Sequence, residues 1–279
     1  MTDAALRATA CAWLSAGRAA MEVLVLDCRG SVPREAGTRM LVAADAVAGT
    51  VGGGHLELQA IARARQLLHD GAGATDERQV ALGPTLGQCC GGALTLRTRP
   101  LSAASLAAWP PVAPRFVLQL HGAGHVGRAV SALLAGVDCR VQWVDERESE
   151  WVGLATTALP PHIEPVCTEP AEAEVRTAPP GAYFLVLTHS HDLDLRIVEA
   201  VLRRGDFGWC GLIGSATKRA RFEHRLAQRG VPEGALARLN CPIGVPGIAG
   251  KQPEIIAIAV VAQLLQVGTA AAAAPADRG

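Results

Sequence analysis

Three glycines and an acid offer the clearest chemistry in this chain. Gly122, Gly124 and Gly127 form a G-x-G-x-x-G turn directly after an apolar run at residues 116–120 and at the head of a helical pattern. In such a turn the first glycine makes the tight bend, the second lets a phosphate approach the backbone, and the third lets helix and strand pack closely. The helix start, with His125 and Val126 in its first turn, then presents free N–H groups and the positive end of the helix dipole. Asp145 ends the next strand-like run, at about the ~20-residue spacing of an acid that bonds a ribose hydroxyl. The pattern specifies a phosphate rather than the molecule that carries it. Glycines kept only for packing would look the same.

Two later strand ends carry reactive groups. Thr188-His189-Ser190-His191-Asp192 follows an apolar run. In an extended segment His189 and His191 face the same way, and with Asp192 or Asp194 they could hold a metal. The alternative, which we favour, has one imidazole bonding the backbone and Asp192 capping the next helix. In both cases the segment is expected to line the site. Gly214 and Ser215 form a further strand-to-helix turn, with Ser215 placed as the cap. Lys218, Arg219 and Arg221 follow in the first two turns, where cations oppose the helix dipole. A bound anion or a solvated basic face would account for them equally. The loop at residues 240–247 holds two prolines and two glycines and is expected to close the pocket as a rigid segment.

The N-terminal half has its own candidates. Cys89 and Cys90 are adjacent in a glycine-rich loop. A disulfide between them is disfavoured, because bridged cysteines want Cα atoms at least ~4.4 Å apart and neighbours sit ~3.8 Å apart. Free thiols beside Gly91 and Gly92 could approach a ligand as soft metal donors or handle sulfur as nucleophiles. One buried and one incidental cysteine is the other reading. Gly52, Gly53 and Gly54 precede a helix and resemble an anion cradle, with Glu57 in its first turn. Arg34, in a loop bounded by glycine and proline, is available to a phosphate or carboxylate.

The elements that must position these groups follow from hydrophobic period. A first helix capped by Thr2 or Asp3 carries Leu6, Ala10, Trp13 and Leu14 on one face. Strands are expected at residues 23–28, 40–43, 47–51, 79–82 and 93–97, with a helix after Gly54 turning Leu58, Ile61, Ala62 and Leu68 inward. From residue 116 strands alternate with helices, at 116–120, 139–144, 183–187 and 207–213. Val130, Leu133 and Leu134 mark one helix core face, and Ile197, Val198, Val201 and Leu202 another. That alternation predicts a doubly wound parallel sheet. The expected fold is therefore α/β: a small α+β domain at residues 1–99, a linker at 100–114 rich in alanine and proline, a Rossmann-type domain at 115–268, and a disordered tail at 269–279.

Composition removes several classes. The 279 residues suit two domains, and the formal net charge of zero offers no basic surface for nucleic acid or anionic membrane. Aromatics at 4% are too scarce for base-stacking platforms. The most apolar helical stretch, residues 255–265, falls short of the roughly 20 residues that span a bilayer, so a buried core helix is expected. The eight cysteines contain no C-x-x-C pair. With no secretory pattern at the N-terminus, a cytoplasmic protein is expected.

The motifs together resemble one family. Arg29-Gly30-Ser31-Val32-Pro33-Arg34-Glu35-Ala36-Gly37, the segment from Gly49 to Glu57, and the segment from Leu82 to Gly92 with its Gln88-Cys89-Cys90-Gly91-Gly92 core resemble the signatures of the XdhC/CoxI family. The second half, with its turns at Gly122, Thr188, Gly214 and Cys241, resembles the XdhC C-terminal domain. The resemblance implies a chaperone rather than an enzyme. It would bind molybdenum cofactor (molybdopterin), hold it while a cysteine desulfurase adds the sulfido ligand, and deliver it to the molybdenum subunit of xanthine dehydrogenase in purine catabolism. It also implies a homodimer. On this reading Gly122, Gly124, His125, Val126, Gly127, Asp145, Thr188, His189, His191, Gly214, Ser215, Lys218, Gly53, Gly54 and Arg34 contact the cofactor. The phosphate lies at the Gly122 turn, and Cys89 and Cys90 face molybdenum across a cleft. The rivals are an NAD(P)-dependent oxidoreductase, which explains Gly122 to Asp145 but not the paired cysteines, and a metal-binding or scaffold protein with an inert Rossmann half.

Overall fold

A computed structural model describes residues 1–71, 75–82, 91–152, 154 and 159–273. The chain divides into two compact units, Met1–Val112 and Ala113–Gly279.

The first unit is built on an antiparallel sheet of order β3-β2-β1-β5-β4. Its strands are β1 (Ala20–Arg29), β2 (Arg39–Ala43), β3 (Val47–Gly49), β4 (Asp76–Ala81) and β5 (Ala93–Pro100). Strand alternation sends Met21, Val23, Val25, Met40 and Val42 to one face, where helix α2 (Gly54–His69) covers them. Helix α1 (Asp3–Ser15), capped by the Thr2 hydroxyl, covers the other face with Leu6 and Ala10. The inward face of α2 differs from the expected one. Leu56, Ala60, Ala64 and Leu67 are its buried residues, Ile61 and Leu68 pack at the margin, and Leu58 is 65% exposed. Apolar residues ring this helix, so period alone left its rotation open. Within the span expected to be a linker, a short helix α3 (Ala103–Ala107) forms, closed by a reciprocal Ser102–Ser105 capping box.

The second unit is a parallel sheet of order β11-β10-β9-β6-β7-β8. Its strands are β6 (Val117–His121), β7 (Arg140–Asp145), β8 (Ile163–Cys167), β9 (Tyr183–Val186), β10 (Trp209–Leu212) and β11 (Leu239–Asn240). Numbered within the unit this is the order 3-2-1-4-5-6, and the strand order reverses between β6 and β9. Helices α4 (His125–Leu134), α5 (His191–Arg204), α6 (Ala216–Gln228), α7 (Glu233–Leu236) and α8 (Pro253–Ala273) complete it. Two cores form. One gathers Phe184, Val186, Ile197, Val198, Val201 and Leu202 beneath α5; the other gathers Leu118, Leu120, Val130 and Leu134 with Ala257, Val260 and Leu264 of α8. Leu133, expected inside, is 41% exposed and with Ile258 lines a groove of about 410 Å³ between α4 and α8.

Strands β8 and β11 were absent from the sequence expectation. β8 contains Pro165 and charged Glu164, and β11 has only two residues, so neither carries a strand period. Helix α8 spans 21 residues and runs through Thr269, well beyond the stretch first read as a core helix. The remainder of the expected tail, residues 274–279, lies outside the described residues. Among the described residues no helix is long and apolar enough to cross a membrane.

Candidate functional site

The strand-order reversal leaves a crevice at the carboxyl ends of β6 and β9, the usual ligand position in open parallel sheets. Two turns meet there, residues 122–124 after β6 and 187–190 after β9. They meet closely. Gly122 has φ +121, and a Cβ there would run into the Leu187 carbonyl; a Cβ on Gly127 would run into the Gly122 carbonyl. Those two glycines are required by the fold itself.

Gly124 is different. Its backbone is ordinary, at φ −69 and ψ −172, and a side chain there would meet nothing within 4 Å. It occupies the cap position of α4, yet no side chain caps that helix. Serine, aspartate or asparagine would normally fill such a position with benefit. Neither backbone conformation nor packing requires glycine, so the residue leaves open the space beside uncapped amides. His125 is exposed at the first helical position, and Val126 packs partly into the core.

Asp145 ends β7 as expected, but its carboxylate is engaged. Oδ2 accepts the Ala123 N–H at 2.7 Å; Oδ1 accepts the Arg147 N–H at 2.9 Å; the Arg147 guanidinium donates to both oxygens at 3.0 and 2.8 Å. Burial opposes its ionisation, but these donors outweigh that and hold the carboxyl below its usual range. Arg147 also pairs with Glu150 at 2.8 Å, and Arg128 of α4 ties Glu150 to the Ala123 carbonyl. Beside this network His121 is fully buried. Burial pushes its pKa down to about 3, so the imidazole is neutral, and Nε2 shares a proton with Gln119 Oε1 at 3.2 Å.

The second turn is fixed by a residue the sequence reading mentioned only as a possible metal ligand. Asp194 is fully buried. Its Oδ1 accepts from the Thr188 N–H at 3.0 Å and the Thr188 hydroxyl at 2.7 Å, and its Oδ2 accepts from Lys218 Nζ at 2.6 Å. Lys218 donates its second bond to the Ile213 carbonyl at 2.9 Å, so one ion pair ties two strand-end turns together. Ser215 caps α6 as expected, accepting the Lys218 N–H at 3.2 Å, and Gly214 leaves room for the Lys218 stem. The cation that opposed the helix dipole thus has its anion inside the protein, and Arg219 likewise pairs with Glu223.

The metal option for this turn does not form. Asp194 is committed to Thr188 and Lys218, Asp192 pairs with Arg225, and His189 and His191 are both exposed. Among the described residues no group of three or more His, Cys, Asp or Glu is arranged to hold a metal. Ser190, rather than Asp192, caps α5.

In the first unit three loops converge. A Cβ on Gly52 would meet Pro33 Cγ at 2.5 Å, and one on Gly92 would meet the Arg29 carbonyl at 2.6 Å. The expected anion cradle is occupied by the protein's own acid. Glu57 Oε2 accepts the N–H groups of Val51 at 3.2 Å and Gly53 at 3.1 Å, together with the Thr50 hydroxyl. Gly54 begins α2, and Arg34 stands exposed with no ion-pair partner among the described residues. Cys89 and Cys90 lie outside the described residues.

The comparisons with known proteins agree with this architecture. Residues 118–264 match the family model of the XdhC Rossmann domain, and residues 13–78 match that of the XdhC and CoxI family. The chain is 33% identical over 253 residues to the uncharacterized protein YqeB of Escherichia coli (strain K12), and spans 42% of that protein's length and 87% of its own. Its fold is similar to that of a Bacillus halodurans protein named as a xanthine dehydrogenase. The TM-score is 0.78 at 19% identity, covering 99% of this chain and 98% of the other.

Proposed function

Taking as premise that the chain belongs to the XdhC and CoxI family, we propose that it is an accessory protein of xanthine dehydrogenase maturation, not the catalyst, and that it binds molybdenum cofactor by its phosphate at the Gly124 turn. The observation that carries the phosphate assignment is Gly124 itself. A glycine stands where the fold needs none, at an uncapped helix start with open space beside it. A phosphate there would take up the free N–H groups and sit favourably in the helix dipole.

The donor set fits such a group. Amides of the α4 first turn would hold the phosphate. Thr188 and the exposed His189 lie on the adjoining turn, which Asp194 and Lys218 keep in place. The cargo would supply the molybdenum centre that the target enzyme uses; the chain's own residues bind, orient and release it. Delivery to the molybdenum subunit of xanthine dehydrogenase, sulfuration by a cysteine desulfurase and assembly as a homodimer belong to the same proposal.

The experiment is anaerobic purification from a host that makes the cofactor, with bound pterin oxidised to its fluorescent derivative and molybdenum counted in parallel. Pterin and molybdenum in near-equal amounts support the reading. A preparation with neither, from a host whose molybdoenzymes are active, would overturn it.

A further inference from the structure

We infer that Arg147 is a specificity-determining residue that closes the Rossmann unit to adenine dinucleotides, so that its ligand must end at the phosphate seated on Gly124. The inference rests on the phosphate reading of that turn and narrows it to a terminal phosphate.

In a dinucleotide complex the pyrophosphate sits on the glycine turn, the adenosine continues over the end of the second strand, and the acid there accepts the ribose hydroxyls. The equivalent acid is Asp145, at the end of β7. Its two oxygens accept four bonds, one from Ala123, one from the Arg147 backbone and two from the Arg147 guanidinium. Its side chain is 3% exposed, so a diol could reach it only by displacing the arginine. That exchange replaces a bidentate pair in which both partners are charged with hydroxyl bonds in which only the acceptor is charged, and breaking it leaves the arginine without that partner.

A 2′-phosphate fares no better. An arginine at this position can receive one in NADP-binding proteins. Here Arg147 is already met by Asp145 at 2.8 Å and Glu150 at 2.8 Å, so an incoming phosphate would face two carboxylates with it. The arrangement is also held from the α4 side. Arg128 donates to the Ala123 carbonyl at 2.9 Å and to Glu150 at 2.8 and 3.1 Å, and Trp151, next along, packs edge-on against Trp143 at 5.2 Å. Trp143 in turn donates to the Gly122 carbonyl at 2.9 Å. Side chains on both sides of the Asp145 carboxylate therefore hold the Arg147 pair in place and brace the glycine turn. Beside Gly124, by contrast, nothing stands.

The test titrates NADH and NADPH into the full-length protein, read by nicotinamide fluorescence, for the wild type and Arg147→Ala. The wild type is expected to show no saturable binding up to ~1 mM, and the variant to bind NADH at least about tenfold more tightly. It should favour NADH over NADPH, because the freed Asp145 accepts a hydroxyl and repels a phosphate. General loosening of the fold would not produce that preference. Arg147→Gln, which keeps the Cβ–Cγ–Cδ stem and one amide donor group without the charge, replaces the alanine variant if the latter does not fold. Micromolar binding of either nucleotide by the wild type would overturn the inference, as would a folded variant with unchanged affinity. Pterin is assayed in the same preparations. Micromolar nucleotide binding by the wild type with pterin retained overturns this inference alone. A wild type that holds neither overturns the proposed function, and the terminal-phosphate assignment with it.

Discussion

The chain contains two glycine-rich turns that each open a helix, and they are used in opposite ways. At Gly52 to Gly54 the amides of Val51 and Gly53 are taken by Glu57, an acid from the first turn of the same helix. At Gly122 to Gly127 the helix start has no side-chain cap and the middle glycine faces open space. Both turns satisfy the same sequence description of an anion cradle. The Glu57 carboxylate takes the Val51 and Gly53 amides of the first turn, whereas Asp145 takes only the Ala123 amide of the second and the Gly124 helix start has no side-chain cap. The first turn is a structural joint; the second is the one we propose as a place for a ligand. Asp145 extends the contrast, because it takes the Ala123 N–H and leaves the next position, Gly124, uncovered.

The largest effect should come from the joint that steadies the adjoining rim. Asp194→Ala strands Lys218, 11% exposed, without its partner. Breaking a buried pair in this way typically costs about 3–5 kcal/mol, and denaturant unfolding should show it. Removing both charges separates the pair from the fold: Asp194→Ala with Lys218→Met should recover part of the loss.

His121 predicts a pH dependence of comparable size. Its folded pKa of about 3 lies below the ordinary value of 6.5. Between those values the unfolded chain takes up a proton that the folded chain refuses, so stability falls as pH drops from 6.5 toward 3. At roughly 1.4 kcal/mol per unit the total reaches a few kcal/mol. His121→Gln should flatten the stability curve over that window; a curve unchanged in shape would show that the imidazole is not held neutral.

The two turns themselves should then diverge. Gly127→Ala places a methyl against the Gly122 carbonyl and should cost about 1–3 kcal/mol as an overpacked site. Glu57→Gln keeps the shape of its joint but removes the charge from bonds to Val51 and Gly53, for a loss of about 1 kcal/mol. Melting temperature is the measurement for both. If Glu57→Gln instead abolished cofactor retention with stability intact, the contrast between joint and ligand seat would fail.

Much of the fold was legible. The alternation of apolar runs and amphipathic helices from residue 116 specified a parallel sheet, and the glycine turn located its switch point. What escaped has particular causes. β8 is an edge strand in which Glu164 and Pro165 interrupt the apolar run between Ile163 and Val166, and β11 is too short to show a period. The face of α2 was misread because apolar residues surround it, and only packing chose Leu56 over Leu58. The site suffered in another way. Asp145 and Lys218 were expected to contact a ligand and the turn before Glu57 to cradle an anion, yet Asp145, Lys218 and Glu57 each meet a partner within the protein. Arg147 is two residues from Asp145, whereas Lys218 lies 24 residues from Asp194. One clue was present: Asp194 shares the helical spacing of Ile197, Val198 and Val201, so an acid lay on an apolar stripe and had to be paired.

The most direct test of the central claim is Gly124→Asp, assayed for bound pterin and for stability in the same preparation. Aspartate is a favoured helix cap and the position is free of obstruction, so the folded protein should gain a few tenths of a kcal/mol or more. The same carboxylate would occupy the phosphate seat and repel the ligand, so pterin should be lost. A protein that melts no lower than the wild type but carries no pterin is the predicted result. Full pterin retention by a stably folded Gly124→Asp variant would contradict the account.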